Sequence, residues 1–232
     1  MPIWKDVIPS RDQLYEAKRD ALLREAVNAF NQRGFHGTSM EDIGKSLGVT
    51  KASLYYYFPN KQSLLAAAFE HVLEVAFESL EKAKLHPGTG FEKLQLTIRG
   101  YLESTLSELS RCVILAEEHA LQPKQRAPIV EKRDRFEAEL RELVCEGMAD
   151  GSIIACDPKL AIFAIFGAVN WVPKWFSNEG NWNSTQLAYA MSELICRSIA
   201  AAPAPALAHD VSALQLPRGF GVELLSNVVE DG

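Results

Sequence analysis

Residues 38–58, TSMEDIGKSLGVTKASLYYYF, contain the signals of two short helices joined by a tight turn. Thr38 followed three residues later by Glu41 forms a capping-box signature, which predicts a helix that begins there and ends near Gly48. A glycine at this point can adopt the unusual backbone angles of a tight turn. Thr50 then supplies the N-cap of the next helix. Two short helices in this order and spacing predict a helix-turn-helix, the motif that places its second helix in the major groove of DNA.

The second of these helices carries three consecutive tyrosines and ends before a proline. Successive helical side chains point about 100° apart, so Tyr55, Tyr56 and Tyr57 cannot share one face. Leu54 and Phe58 are four residues apart and define the buried stripe. The outer face is then small, hydroxylated, aromatic and basic, which suits contact with base edges and phosphates; it comprises Lys51, Ala52, Ser53, Tyr55 and Tyr56. Packing between neighbouring helices is the alternative, and it applies most to Tyr57.

The rest of the sequence also shows the three- and four-residue spacing of apolar side chains that is typical of helices. One helix is predicted over Arg11–Arg33, with Gly34 as its stop, and another from the cap Asn60 to about Leu85. Further helices are predicted over about 91–109, 111–121, 126–149, 158–178 and 184–201, with breaks at Pro123, Gly151, Pro158 and Gly180. We therefore predict an all-α fold, in which residues 1–60 form a three-helix helix-turn-helix domain, residues 61–201 a larger helical domain, and residues 202–232 a loosely attached tail.

Composition and charge restrict the classes of protein to which the chain can belong. The 232 residues carry a net charge of −6, but residues 1–63 contain nine Lys or Arg against seven Asp or Glu, so a small basic surplus lies around the helix-turn-helix. Four scattered cysteines form no metal or disulfide pattern. The sequence has neither an apolar run of roughly 18 residues nor a secretion signal, which predicts a cytoplasmic protein without a membrane partner. Catalytic and cofactor-binding motifs are absent as well, so we predict neither enzyme activity nor a cofactor.

The run from Leu23 to Leu65 resembles the DNA-binding domain of the TetR family of transcriptional regulators. The shared features are the helix before RGF, the TS cap, the segment GVTKASLY and the FPNK that leads into the next helix. The resemblance implies contacts to operator phosphates from Thr38, Thr50, Lys51, Tyr56, Tyr57 and Lys61, and it places Ala52, Ser53 and Tyr55 nearest the bases. One departure is Gly44, where the family more often has alanine, and a helical glycine costs about 0.5 to 1 kcal/mol relative to alanine.

The resemblance also implies a ligand-responsive regulator of the repressor type that binds a palindromic double-stranded DNA operator as a homodimer. A single helix-turn-helix covers only a few base pairs, so a dimer that spans two half-sites is expected. Residues 157–200 are apolar around much of their helical circumference, and in the family the corresponding helix pair forms a four-helix bundle with its symmetry mate. The predicted interface residues are Phe163, Phe166, Trp175, Leu187, Met191 and Leu194. A purely internal helical hairpin is the alternative.

The predicted effector is a small hydrophobic molecule that binds among the helices of the second domain. Residues 166–180, FGAVNWVPKWFSNEG, resemble the corresponding helix of TetR-type regulators of fatty acid, phenylacetate and steroid degradation, whose effectors are acyl-CoA thioesters. The predicted pocket residues are Leu102, Leu106, Leu115, His119, Phe136, Phe166, Asn170 and Trp171. An acyl-CoA and a drug-like or aromatic effector of an efflux repressor both remain open at this point. A helical enzyme or carrier is the alternative outside the regulator class.

Overall fold

The computed structural model describes residues 10–107, 120–177 and 179–201, which form eight α-helices. The helices are α1 Arg11–Arg33, α2 Met40–Ser46, α3 Lys51–Tyr57, α4 Lys61–Lys84, α5 Gly90–Thr105, α6 Pro123–Asp150, α7 Pro158–Trp175 and α8 Ser184–Cys196. The predicted all-α fold is confirmed. In the described part of the chain, no helix combines the length and apolar character that crossing a membrane requires.

Most helix ends lie within a few residues of their predicted positions. The clearest difference is α6, which already begins at Pro123, because proline is favoured in the first helical turn and therefore starts this helix where a break was predicted. The predicted helix 184–201 ends at Cys196, and a 3-10 turn over Arg197–Ile199 continues it. The predicted tail 202–232 lies outside the described residues, as does most of the predicted helix between α5 and α6.

The start of α2 differs from the predicted cap by one residue. Ser39 is the N-cap, and its side chain accepts a hydrogen bond from the backbone N–H of Asp42, whose carboxylate accepts one from the backbone N–H of Ser39. The hydroxyl of Thr38 is buried and lies within hydrogen-bonding distance of the carbonyl oxygens of Ala29 (3.1 Å) and Gly34 (2.9 Å). The predicted capping box that starts at Thr38 is therefore wrong, because this hydroxyl is used in a tertiary contact with the end of α1.

The turn between α2 and α3 depends on two glycines in different ways. Gly48 has a φ of 63°, in the left-handed region that strongly favours glycine. Gly44 is buried within α2, and a Cβ built on it would lie 3.5 Å from the carbonyl oxygen of Val49 and 3.8 Å from a methyl carbon of Leu54. Because these are ordinary van der Waals distances, the structure has room for the alanine that the family more often carries at this position.

Two hydrophobic cores share α4. The first core joins α1, α2, α3 and the first half of α4, including Leu64 and Leu73, and it also contains Leu121 and Ile129 around the start of α6. The second joins the other half of α4, including Ala76 and Leu80, to α5, α6, α7 and α8. The change from one core to the other thus falls inside α4, and the predicted domain boundary between residues 60 and 61 stays a prediction. Because α4 is one continuous helix, a displacement of its second half also reaches the first core.

Candidate DNA-binding surface and ligand pocket

One face of α3 fixes this helix to the first core. Leu54 and Phe58 are only 1% and 2% exposed, and Ile43 of α2 is fully buried beside them, so the predicted buried stripe is confirmed. The hydroxyl oxygen of Thr50 caps the helix by accepting a hydrogen bond from the backbone N–H of Ser53 at 3.2 Å. Burial of one face and a capped N-terminus hold the opposite face of α3 in a defined orientation towards solvent.

The exposed face of α3 carries small, aromatic and basic side chains. Lys51, Ala52 and Ser53 are exposed in the first turn, Tyr55 is 41% exposed and Tyr56 is 68% exposed. Small side chains allow a helix to approach the edges of bases, while phenolic hydroxyls and an ammonium group donate hydrogen bonds to phosphate oxygens. The geometry therefore provides a surface that can enter a major groove.

Tyr15 of α1 joins this surface, although the sequence did not single it out. Its ring centroid lies 4.8 Å from that of Tyr57 and 5.9 Å from that of Tyr56, and the centroids of Tyr56 and Tyr57 are 5.1 Å apart. We call these three residues the tyrosine cluster. Tyr57 is half-buried within it, which favours the packing alternative for this residue. The available sequence signal for Tyr15 was an aromatic side chain among the charged residues at the start of α1.

The basic group at the start of α3 is paired with an acidic group on α2. The Nζ of Lys51 lies 3.0 Å from an oxygen of Glu41, and both side chains are largely exposed. Their hydrogen bond lowers the pKa of the Glu41 carboxyl and raises the pKa of the Lys51 ammonium. The same ammonium lies 5.9 Å from the ring centroid of Tyr55. Both groups of this pair are therefore charged at neutral pH.

The ammonium group of Lys61 is used inside the protein. It donates hydrogen bonds to the carbonyl oxygens of Phe35 (2.7 Å) and Thr38 (2.9 Å), and it lies 4.4 Å from the ring centroid of Phe35. Burial lowers the pKa of this lysine. The contacts tie the first residue of α4 to the turn that precedes α2. The Thr38 hydroxyl is buried and bonded to backbone carbonyls, whereas the half-buried Lys61 uses two of its three N–H donors in this turn, so the predicted phosphate contacts of these residues stay predictions.

A cavity of about 350 Å³ lies among four helices, α4, α5, α6 and α7. Its lining consists of Phe69, Val72 and Leu73 from α4, Tyr101 from α5, Ile129 and Arg133 from α6, and Gly167, Asn170, Trp171 and Lys174 from α7. Two of the predicted pocket residues, Asn170 and Trp171, are in this lining. Most of the wall is apolar, as is usual for a small-molecule site.

The polar groups of the cavity are few and specific. The hydroxyl of Tyr101 donates a hydrogen bond to the side-chain oxygen of Asn170 at 3.1 Å, and burial raises the pKa of Tyr101 to about 12, so the phenol stays neutral. Arg133 and Lys174 add two positive charges, and the Lys174 ammonium lies 5.0 Å from the ring centroid of Trp171. The described residues of the lining include no carboxylate. The cavity thus combines an apolar wall with the hydrogen-bonded pair of Tyr101 and Asn170 and with two cationic side chains, of which Arg133 lies 3.3 Å from the carboxylate of Asp134. This lining suits an apolar ligand with an anionic part.

The other predicted pocket residues do not line this cavity. Leu102, Leu106 and Phe136 are buried in the second core, because they belong to the inward faces of α5 and α6. Phe166 is half-buried against Tyr101, at a centroid distance of 5.7 Å. The two remaining predicted residues, Leu115 and His119, lie outside the described residues. The sequence pattern identified apolar helix faces, but it did not distinguish side chains that fill the core from those that border a void.

Both parts of the chain match family models for regulatory proteins. The model "Bacterial regulatory proteins, tetR family" matches residues 22–68, and the model "Tetracyclin repressor-like, C-terminal domain" matches residues 87–199. The HTH-type transcriptional regulator RutR of Escherichia coli strain K12 is 30% identical over 166 residues, which cover 68% of this chain and 74% of RutR. The chain belongs to the TetR family. It is a ligand-responsive DNA-binding regulator, and the resemblance noted in the sequence is confirmed.

Two further matches extend over most of the chain. The fatty acid metabolism regulator protein of Bacillus subtilis strain 168 is 26% identical over 187 residues, which cover 77% of this chain and 93% of that protein. A solved structure of AibR in complex with isovaleryl coenzyme A and operator DNA has a TM-score of 0.67 and 25% identity, over 78% of this chain and 97% of AibR. The shared fold thus includes both the helix-turn-helix and the helical second part.

The residues predicted to form the dimer interface lie on α7 and α8. Phe163 is 51% exposed and Leu194 is 56% exposed, whereas Phe166, Trp175 and Met191 are half-buried. Leu187 is only 1% exposed, so this predicted interface residue belongs to the core of a single chain. Its position on α8 faces inward, and helical periodicity alone did not determine which of the two apolar faces of the helix is covered.

Beside the exposed polar residues Lys159, Asn170 and Lys174, the exposed apolar residues of α7 form a stripe. They follow the three- and four-residue spacing of one helix face and comprise Leu160, Phe163, Ala164, Gly167, Ala168 and Trp171. We call this set the α7 stripe. It includes glycine and alanine positions that allow another helix to approach closely, and a surface of this kind is typical of protein interfaces.

Proposed function

We propose that this TetR-family protein is a repressor that binds a palindromic operator as a homodimer and is released by a hydrophobic effector, an acyl-CoA thioester. The observation that carries the proposal is the position of α4. Through Lys61, its first residue is bonded to the turn before α2, and two to three turns further along the same helix Phe69, Val72 and Leu73 line the cavity. A ligand that displaces α4 therefore displaces the support of the helix-turn-helix.

Contacts to the operator are assigned from the exposed face of α3. In this proposal Thr50, Lys51 and Tyr56 contact phosphates, and Ala52, Ser53 and Tyr55 lie nearest the bases. Tyr57 contributes through packing in the tyrosine cluster. Thr38 and Lys61 act as structural supports of the turn before α2, because their polar groups are bonded within the protein.

Dimerisation is assigned to the α7 stripe together with Leu194 of α8. A contiguous apolar surface loses contact with water when two copies pair, and full burial of a large side chain such as Leu160 or Phe163 contributes about 1.5 to 3 kcal/mol. Two helix-turn-helix units held about 34 to 36 Å apart then match successive major grooves on one side of the duplex. A palindromic operator follows from this two-fold symmetry.

The acyl-CoA assignment is supported by the chemistry and the size of the cavity. Arg133 and Lys174 favour an anionic ligand, and about 350 Å³ is small for a whole CoA thioester but adequate for an acyl chain. The acyl chain would lie against the apolar wall while the CoA phosphates remain towards the cationic side. The similar AibR binds isovaleryl coenzyme A together with operator DNA, and the Bacillus subtilis relative is named for fatty acid metabolism, which supports the same assignment here.

A second candidate is an aromatic or drug-like effector, as in an efflux repressor. Phe69, Tyr101 and Trp171 place three aromatic rings in the lining, and such rings stack on planar ligands. The two cations disfavour a positively charged drug, so this alternative is restricted to neutral or anionic aromatic compounds.

The deciding experiment first selects an operator from random duplex DNA and then titrates ligands into its complex with the protein. The panel contains straight-chain and branched acyl-CoA thioesters, phenylacetyl-CoA, the corresponding free acids, free CoA and neutral aromatic compounds. Release by thioesters but not by free acids or free CoA supports the proposal, because a ligand shifts an equilibrium only through differential affinity for its two states. Release by neutral aromatic compounds alone, with every thioester inert, would establish the second candidate.

A further inference from the structure

The lysine assigned to an operator phosphate is already bonded to an acidic side chain of the same molecule. Lys51 is the first residue of α3, and its Nζ lies 3.0 Å from the Oε1 of Glu41, which lies in the first turn of α2. The two side chains are 63% and 61% exposed, so the pair lies at the surface and beside the face assigned to DNA. A phosphate that approaches Lys51 therefore meets a carboxylate at the same ammonium group.

The charges around Glu41 and Lys51 determine how the carboxylate affects folding and DNA binding. Lys45, one helical turn after Glu41, also attracts its carboxylate, but the direct hydrogen bond is made by Lys51. The carboxylate at the start of α2 interacts favourably with the positive end of the helix dipole, so Glu41 has a stabilising role in the free protein. In the DNA complex the same carboxylate adds a negative charge beside the phosphate backbone. Its effect on folding and its effect on binding thus have opposite signs.

We propose that Glu41 competes with DNA phosphate for Lys51 and thereby lowers the affinity of the protein for DNA of any sequence. This inference rests on the proposed operator contacts of α3. Phosphate contacts supply nearly all of the affinity for non-specific DNA, so a competitor for a phosphate-binding lysine limits non-specific occupancy. In the bound state Lys51 exchanges the carboxylate of Glu41 for a phosphate oxygen, and Glu41 returns to solvent.

The test compares Glu41→Gln with the natural protein on two duplexes, the selected operator and an unrelated sequence, by fluorescence anisotropy. The variant removes the charge but keeps the length and polarity of the side chain. We expect affinity for both duplexes to rise about two- to fivefold at roughly 50 mM salt, and the gain to shrink as salt screens the exposed pair. A gain in affinity also separates this role from damage to the fold, because a destabilised helix-turn-helix would bind more weakly.

Two matched variants complete the design. Glu103→Gln makes the same change in net charge at an exposed position of α5, and we expect it to leave the affinity unchanged within error. In a Lys51→Met background, Glu41→Gln should give less than half of the gain, in logarithmic units, that it gives in the natural protein. The Lys51→Met background separates competition for Lys51 from electrostatic repulsion between Glu41 and DNA. It also separates competition from an arrangement in which Lys51 binds the carboxylate and the phosphate at once through different N–H groups.

Each outcome is decisive. An unchanged or lower affinity of Glu41→Gln, measured at a temperature where circular dichroism shows the variant to be folded, would overturn the inference. An equal gain with and without Lys51, or an equal gain from Glu103→Gln, would assign the effect to charge repulsion and overturn it as well. Failure of the natural protein to bind any duplex at low salt would instead overturn the proposed operator surface, which makes the two failures distinguishable.

Discussion

Large aromatic side chains of the described residues are exposed on two helices, α3 and α7, and the two exposed faces differ in their chemistry. On α3, Tyr55 and Tyr56 end in hydroxyl groups and are accompanied by an ammonium group. On α7, Leu160 and Phe163 present hydrocarbon surface without hydroxyl groups beside small residues, and the Lys159 ammonium lies 5.5 Å from the ring centroid of Phe163. The α3 face can exchange its hydrogen bonds to water for bonds to phosphate, whereas the apolar side chains of the α7 face gain free energy by leaving water. The exposed aromatic area alone therefore does not indicate which partner a surface binds. The polar or apolar groups that surround the rings do indicate it.

The most severe test of this difference places a charge on the α7 stripe. We expect Phe163→Asp to give monomers or aggregates, because a buried, unpaired carboxylate in an apolar interface costs several kcal/mol. Multi-angle light scattering measures the assembly state directly. Leu85→Asp is the matched control, since Leu85 is 86% exposed at the end of α4, away from the stripe, and should remain dimeric. A helical, soluble dimer for both variants would place the interface elsewhere and remove the contrast between α3 and α7.

A second test asks whether the α3 face depends on the support behind it. Lys61→Met removes the donor for the carbonyl oxygens of Phe35 and Thr38, and we expect the free energy of unfolding to fall by about 1 to 3 kcal/mol because these acceptors lose their partner. Chemical denaturation measures this loss. Lys45→Met, which changes an exposed lysine of α2, should stay close to the natural protein. Equal stability of both variants would show that the contacts of Lys61 contribute nothing measurable.

The helix-turn-helix could be predicted in detail because its signals are local. The stop at Gly34, the cap at Thr50 and the buried pair Leu54 and Phe58 all lie within 25 residues and act through backbone geometry or helical spacing. The error at Thr38 has a definite physical origin, since a hydroxyl that can cap a helix can also bond to a neighbouring one. Local sequence patterns identify residues that can cap a helix, and tertiary contacts determine which of these residues does so.

Of the six predicted pocket residues that the structure describes, two line the cavity, whose wall comes from four separate helices. Leu102 and Tyr101 are neighbours in sequence, but Leu102 fills the core while the ring of Tyr101 borders the cavity. Arg133 belongs to a helix with many charged residues, and nothing in its local sequence separates it from the others. Helical periodicity assigns a side chain to a face, whereas the position of a void depends on how four faces meet.

The third test separates two kinds of contact on the α3 face. Lys51→Ala should weaken binding to all DNA sequences by similar factors and reduce the slope of log affinity against log salt by about one, since one phosphate contact releases about one counterion. Ser53→Ala, two residues further along the exposed face, should mainly change base preference. Titrations of an operator and of single-base variants at several salt concentrations distinguish them. A changed sequence preference with an intact salt slope in Lys51→Ala would reverse the two roles.

The fourth test concerns the tyrosine cluster at the edge of α3. Tyr15→Ala removes the ring that contacts both Tyr56 and Tyr57, and we expect operator binding to weaken by about 0.5 to 1.5 kcal/mol, the usual size of an aromatic pair interaction. Tyr15→Phe keeps the ring and should retain the affinity. If Tyr15→Phe loses as much as Tyr15→Ala, the hydroxyl of Tyr15 itself contacts DNA, and the polar edge of the α3 face extends onto α1.

The smallest expected effect comes from Gly44, beneath the α3 face. Its substitution by alanine should raise the free energy of unfolding by about 0.5 to 1 kcal/mol, because alanine is the better helix former. The new methyl group would meet its neighbours at 3.5 and 3.8 Å, which requires no movement of α3. Gly48→Ala is the contrasting variant, since its φ of 63° should make alanine destabilising by roughly 1 to 2 kcal/mol. Thermal and denaturant unfolding measure the stabilities of both variants, and operator titration measures their binding.

We expect Gly44→Ala to bind the operator as the natural protein does, because the exposed side chains of α3 keep their places. A stabilised variant with altered base preference would show that the α3 face depends on flexibility in α2.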